Sequence, residues 1–183
     1  PGSAPDAAAK AARERADLNV SRNHVCELLT FFVLNHGYRI KYFVLRNNIV
    51  GKVCDLMKED EKYIALSAVR FLRACVGLKD EFYFRYMIKN NSFAPLVELF
   101  KSNASKYNLI NSAIIELFDF IRKENIKSMI SYTVQKFAQE LETITYGDTF
   151  ATLQKQYEQN KEFMSVEDMQ RQDDTTEEAY FAG

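Results

Sequence analysis

Residues 46–58 read RNNIVGKVCDLMK and residues 89–101 read KNNSFAPLVELFK. The second phrase restates the first 43 positions later. Arg46 answers to Lys89, Asn47-Asn48 to Asn90-Asn91, Asp55 to Glu98, Leu56 to Leu99 and Lys58 to Lys101. Asparagine tolerates the left-handed backbone that closes one helix and can cap the next, so each Asn-Asn pair marks a helix junction. A period of this length lies in the armadillo/HEAT range. One such unit cannot bury its apolar face alone, so it stacks on its neighbours.

Outward from these phrases the chain keeps a helical rhythm. Apolar residues recur three and four apart, and only 6 glycines and 3 prolines interrupt 183 residues. A long helix over 21–35 ends at Gly37, a short one (YRIKYFVLR) at Asn47-Asn48, and IVGKVCDLMK follows. The cycle restarts with 62–76, 80–89 and 92–101, then 107–122, 125–141 and a closing helix around 149–158. The expected fold is all-α: an armadillo/HEAT-like right-handed helical-repeat solenoid over residues 21–158, with Leu28, Phe32, Phe71, Leu72, Cys75, Leu117 and Phe118 buried. Residues 1–20 read as the scar of a cleaved tag (PGS) and an Ala-rich leader with almost nothing to bury, expected to fray. Residues 159–183 read as a disordered acidic tail. From Lys161 onward it carries seven acids against two bases.

Composition excludes several functions. Net charge is −1, so no polyanion partner is advertised and direct nucleic-acid binding is not expected. No apolar run approaches the roughly 18 residues of a membrane span. Cys26, Cys54 and Cys75 lie in apolar helical contexts and read as buried, reduced thiols of an intracellular protein. There is no HExxH, CxxC, GxSxG or phosphate-cradling glycine loop. His24 and Cys26, two apart on a helix, point to different faces and make no nucleophile–base pair. No catalytic group, metal or cofactor is expected.

The informative polar residues sit inside the long helices, each the third of an armadillo triplet. Aligned, the same slots hold Glu27 and Thr30, then Arg70 and Arg73, then Glu116 and Asp119. Third helices line the concave face of such solenoids, so these slots form two ladders across it. On the plain reading, acids and bases only bridge one another, at roughly 0–1 kcal/mol per exposed pair. On the functional reading, the ladders receive an acidic or phosphorylated segment of a partner. Rung by rung, Arg70 stands between Glu27 and Glu116, and Arg73 between Thr30 and Asp119. Arg73 then has a carboxylate on one side only and is the expected free cation. A second candidate is the aromatic run Phe82, Tyr83, Phe84 and Tyr86, mostly core, with one or two rings turned outward.

HVCELLTFFV, YRIKYFVLRNN, AVRFLR, GLKDEFYFRYMIKNNSFAPLV, KYNLINSAIIELFDFIRKENIKS and KQYEQ together resemble the regulatory subunit 3 family of serine/threonine protein phosphatase 4, also called suppressor of MEK null. The likeness runs from about Asn23 to Tyr157 and corresponds to the C-terminal part of the family's armadillo-like region. The resemblance implies a non-catalytic scaffold acting with the phosphatase 4 catalytic subunit and regulatory subunit 2. It also implies contact with substrates or adaptors, a role in DNA-damage signalling, and residence in nucleus and cytoplasm. It supplies no site residues, and the family's N-terminal peptide-reading domain has no counterpart here. The alternative is a karyopherin-like peptide-binding adaptor, which favours Trp pockets that this Trp-free chain lacks. Self-association through the N-terminal flank of helix 21–35 is a further expectation.

Overall fold

The computed structural model describes residues 4–103, 108–142 and 148–163, which lie in helices and the turns joining them. In order these are α1 (Ala4–Arg46), α2 (Ile49–Asp55) with a 3-10 turn at Leu56–Lys58, α3 (Lys62–Gly77), α4 (Glu81–Lys89), α5 (Ala94–Ser102), α6 (Leu109–Lys123), α7 (Lys127–Glu142) and α8 (149–163). The all-α helical-repeat class read from the sequence is the class observed. Asn48 and Asn91, at equivalent positions of the repeated phrase, both take left-handed backbone (φ 53° and 51°). Lys79 and Asn125 do the same just beyond α3 and α6.

Two features of α1 differ from expectation. The expected long helix 21–35 and the short helix after it are joined in one element, broken only by the non-helical backbone of His36 (φ −131°, ψ 30°). A Cβ on the adjacent Gly37 would stand 3.1 Å from the Leu78 side chain, so glycine lets the bend approach the end of α3. The Ala-rich leader, expected to fray, is helical from Ala4, although residues 7–18 bury nothing. Extending a helix that is already nucleated requires only propensity, and alanine has the most of it. A Lys10–Glu14 pair one turn apart (3.9 Å) adds a little more.

The chain divides into two compact units at Leu117/Phe118, within α6. In the first, α3 is the central element. Ile64, Ala68, Val69, Phe71, Leu72, Cys75 and Val76 have no solvent exposure. Polar bonds fix the register between triplets: Ser67 donates to Asn23 Oδ1 (2.6 Å), Arg22 to Glu59 (2.9 Å) and the Tyr86 hydroxyl to Asn48 Oδ1. Asp80 caps α4 by accepting from the Phe82 amide (2.9 Å), and Asn108 accepts from the Asn111 amide at the start of α6. The second unit packs Phe118 edge-on against Phe150 (5.2 Å between centroids), with Ile121, Met129 and Ile130 fully buried. Asn160 of α8 donates to Asn125 Oδ1 (2.9 Å).

Of the core residues read from the sequence, Phe71, Leu72, Cys75, Leu117 and Phe118 are fully buried. Leu28 is not: it is 54% exposed, and Phe32 is only half-buried, because both stand on a flank of α1 that no other described element covers. All three cysteines are unpaired and buried. Burial pushes the Cys26 thiol up to about 11 and the Cys54 thiol up to about 12, so both are protonated and inert at neutral pH. The expected tail lies outside the described residues from 164 onward, and residues 159–163 complete α8. Phe71→Ala should cost roughly 3–5 kcal/mol in denaturant unfolding, the range for emptying a buried aromatic site. A loss below about 1 kcal/mol would contradict its place at the centre of the unit.

Candidate protein-interaction face

The two ladders are built from side chains on α1, α3 and α6, and the structure connects them diagonally. Arg73 donates through Nε to both carboxylate oxygens of Glu116 (3.0 and 2.9 Å). Helical side chains lean toward the N-terminus of their own helix. The long arginine therefore meets the acid one turn earlier on the next third helix, instead of the residue in its own slot. Asp119, in the second unit, is held within its own helix by Arg122 (2.7 Å) and Lys123 (2.6 Å). The expectation that Arg73 is the free cation is thus overturned.

On α1, the slot that stands to Arg70 as Arg73 stands to Glu116 holds Thr30, which offers no charge. Thr30 instead donates back to the Cys26 carbonyl (2.8 Å), and Glu27 accepts from Asn23 (3.1 Å). Arg70 is exposed and has no hydrogen-bond or ion-pair partner among the described residues. The cation left over by the ladder is therefore Arg70. Sequence reasoning took Arg73 as the unpaired arginine of the ladder, because it matched slots without allowing for side-chain lean.

The aromatic run divides as composition suggests. Tyr83 and Phe84 are buried, Tyr86 is half-buried on Asn48, and Phe82 turns outward at 59% exposure. The Tyr83 hydroxyl has no partner among the described residues, and burial raises its pKa. Beside Phe82 lies a cluster that sequence reasoning missed. Lys41 bonds to Asp80 (2.8 Å), sits 4.7 Å from the Phe82 ring centroid, and lies 5.8 and 5.7 Å from those of Tyr38 and Tyr42. Its only sequence trace is aromatics at 38 and 42 bracketing Lys41 one helical turn apart. The bond to Asp80 raises the Lys41 pKa. Burial pushes the Asp80 carboxyl up, but Lys41 and the Phe82 amide outweigh it and hold it below the ordinary carboxylate value.

No group of three or more His, Cys, Asp or Glu able to hold a metal occurs among the described residues, and no described helix is long and apolar enough to cross a membrane. The fold is that of an all-α helical-repeat segment. The model of the family described as phosphatase 4 regulatory subunit 3 matches residues 5–159, and the chain belongs to that family. Mouse Protein PPP4R3C1 is 45% identical over 137 residues, covering 75% of this chain and 17% of its own length. The Drosophila melanogaster serine/threonine-protein phosphatase 4 regulatory subunit 3 is 40% identical over 144 residues (79% and 15%). Suppressor of Mek1 from Dictyostelium discoideum is 38% identical over 151 residues (76% and 14%). The chain thus spans less than a fifth of each relative's length. No solved structure matches. The family is one of regulatory subunits, not of enzymes, and the karyopherin-like alternative is not favoured.

The ion pairs make two expectations. A double-mutant cycle on Arg73 and Glu116 should return a coupling of about 0.5–1 kcal/mol, since the arginine is partly shielded and meets both oxygens. A coupling of zero would dissolve the diagonal. Asp80 and Asp119 both have lowered pKa values, Asp119 mainly through its bonds to Lys123 and Arg122. Their stabilisation is present above the unfolded carboxylate value of about 3.9 and disappears as pH falls through the folded values. Asp80→Asn should flatten the acid side of the stability profile below about pH 4, and an unchanged profile would show that Lys41 does not hold the carboxylate.

Proposed function

We propose that this chain is a protein-contacting segment of a phosphatase 4 regulatory scaffold. In this reading it takes part in assembling the catalytic subunit with regulatory subunit 2, or in bringing substrates and adaptors to them. Membership of the regulatory subunit 3 family and the helical-repeat fold support it. The single observation that carries it is the exposed Arg70 on α3, a cation with no carboxylate partner among the described residues, one turn before Arg73, which is bound to Glu116 of α6. A guanidinium in that setting accepts a carboxylate or phosphate from a partner without breaking any bond of the fold. The near-neutral charge supports a protein partner over a nucleic acid. Residence in nucleus and cytoplasm, and service in DNA-damage signalling, belong to the same proposal.

Arg70→Glu should weaken capture of the purified catalytic subunit, tested alone and with regulatory subunit 2, while changing stability by no more than about 0.5 kcal/mol as surface substitutions do. Arg73→Glu should instead lose stability, because it places an acid against Glu116. Unchanged capture by both variants would move the partner surface elsewhere.

A further inference from the structure

Seven positions before each member of the Glu27–Arg70–Glu116 rung stands an apolar residue: Val20 on α1, Tyr63 on α3 and Leu109 on α6. Seven residues are nearly two helical turns, so Tyr63 and Arg70 share one face of α3, about 10 Å apart along it. All three apolar residues are exposed, Val20 by 48%, Tyr63 by 42% and Leu109 by 63%. Tyr63 decides what that exposure means, because α3 is bonded on both sides, to Asn23 of α1 through Ser67 and to Glu116 of α6 through Arg73. A slot that stays open on a helix flanked in this way is not a packing slot. The α3 residues that do pack, Ala68 and Phe71 among them, have no exposure. An apolar row therefore lies open to solvent beside the unpartnered arginine.

Charge and spacing narrow the occupant. Arg73 is committed to Glu116, which leaves one guanidinium available, that of Arg70. The matching slot on α1 holds Glu27, which is exposed and accepts from the Asn23 amide. A phosphate, with nearly two negative charges, would leave one of them unanswered beside that carboxylate. A run of acids would meet Glu27 and Glu116 as well. A single carboxylate in an otherwise uncharged segment fits. An amphipathic helix docks through anchors three and four residues apart along a groove. Here the exposed apolar residues run across three helices, one on each, and only the half-buried Leu66 stands between Tyr63 and Arg70 on their face. An extended segment suits this better, since three of its residues span about 10 Å.

We infer that Tyr63 and Arg70 form a two-point site for an extended segment of a partner protein. An apolar side chain of that segment rests on Tyr63, in the row with Val20 and Leu109, and an aspartate or glutamate three residues away pairs with Arg70. The inference rests on the reading of Arg70 as a partner-contacting cation. To that reading it adds the second anchor, the spacing, and carboxylate in preference to phosphate.

The test is selection of random linear peptides, displayed on phage, against the 183-residue chain and two surface variants. On the unaltered chain the enriched peptides should carry Leu, Ile, Val or Phe three residues from a single Asp or Glu. Selection on Arg70→Glu should replace that acid with Lys or Arg at the same spacing. Selection on Tyr63→Ser should keep the acid and lose the apolar residue. A synthetic peptide from the first selection should bind Tyr63→Ala and Arg70→Gln each about tenfold more weakly. Replacing its acid by phosphoserine should also weaken it. No enrichment on the unaltered chain, an acid at another spacing, or a motif that survives both substitutions would overturn the site. Tighter binding of the phosphoserine peptide would overturn the carboxylate. Capture of the phosphatase 4 catalytic subunit is scored separately. If the motif holds and that subunit is not captured, the site stands without that partner; if capture depends on Arg70 and no motif is enriched, the proposed function stands without the two-point site.

Discussion

Phe71, Leu72 and Cys75 leave no surface in water, although each lies on a helix of only 16 residues. That is possible only if α3 is covered on several sides at once, and most other features of the first unit follow from this requirement. Burying each large apolar side chain contributes roughly 1.5–3 kcal/mol, but only while the neighbours stay in place. The neighbours are held there by short polar ties such as Ser67 to Asn23, Tyr86 to Asn48 and Lys41 to Asp80. Each tie connects one triplet to the next. The helix that supplies the hydrophobic core therefore also fixes the spacing of the polar face it presents.

That spacing has a chemical consequence. Because arginine leans back along its helix, Arg73 meets Glu116 and the ladder runs diagonally. One diagonal is self-neutralised and the next, Thr30 toward Arg70, is not. Within the ladder, Arg70 is left without a carboxylate among the described residues and lies at the surface, not in the core. The aromatic group around Lys41 works differently. There the charge is consumed by Asp80 and three rings, so that cluster serves more to join α1 to α4 than to attract an anion.

Much of this was legible in the sequence. The repeated Asn-Asn phrase located both left-handed junctions, and the three-and-four spacing located the helices from α2 to α7 to within about two residues, the usual limit for helix ends, while α8 runs five residues beyond the expected end at 158. The central core residues followed from slots that recur from repeat to repeat. Three things did not follow. Leu28 and Phe32 carry the same apolar signature as Phe71 and Cys75, and only whether another described element covers that flank separates buried from exposed. The fused α1 was invisible because Gly37 ordinarily ends a helix, and only the close approach of Leu78 explains its use in a bend. The choice between Arg70 and Arg73 depends on the direction a side chain leans, which slot matching ignores.

The central place of α3 can be measured most directly by native-state hydrogen exchange. Amides of residues 64–76 should be among the slowest to exchange and should share one opening free energy, equal to that for unfolding the first unit. Amides of the exposed leader at residues 7–18 should exchange through local fraying at far lower cost. If the α3 amides exchanged as readily as the leader, or opened independently of α1, α3 would not be the element on which the stack depends.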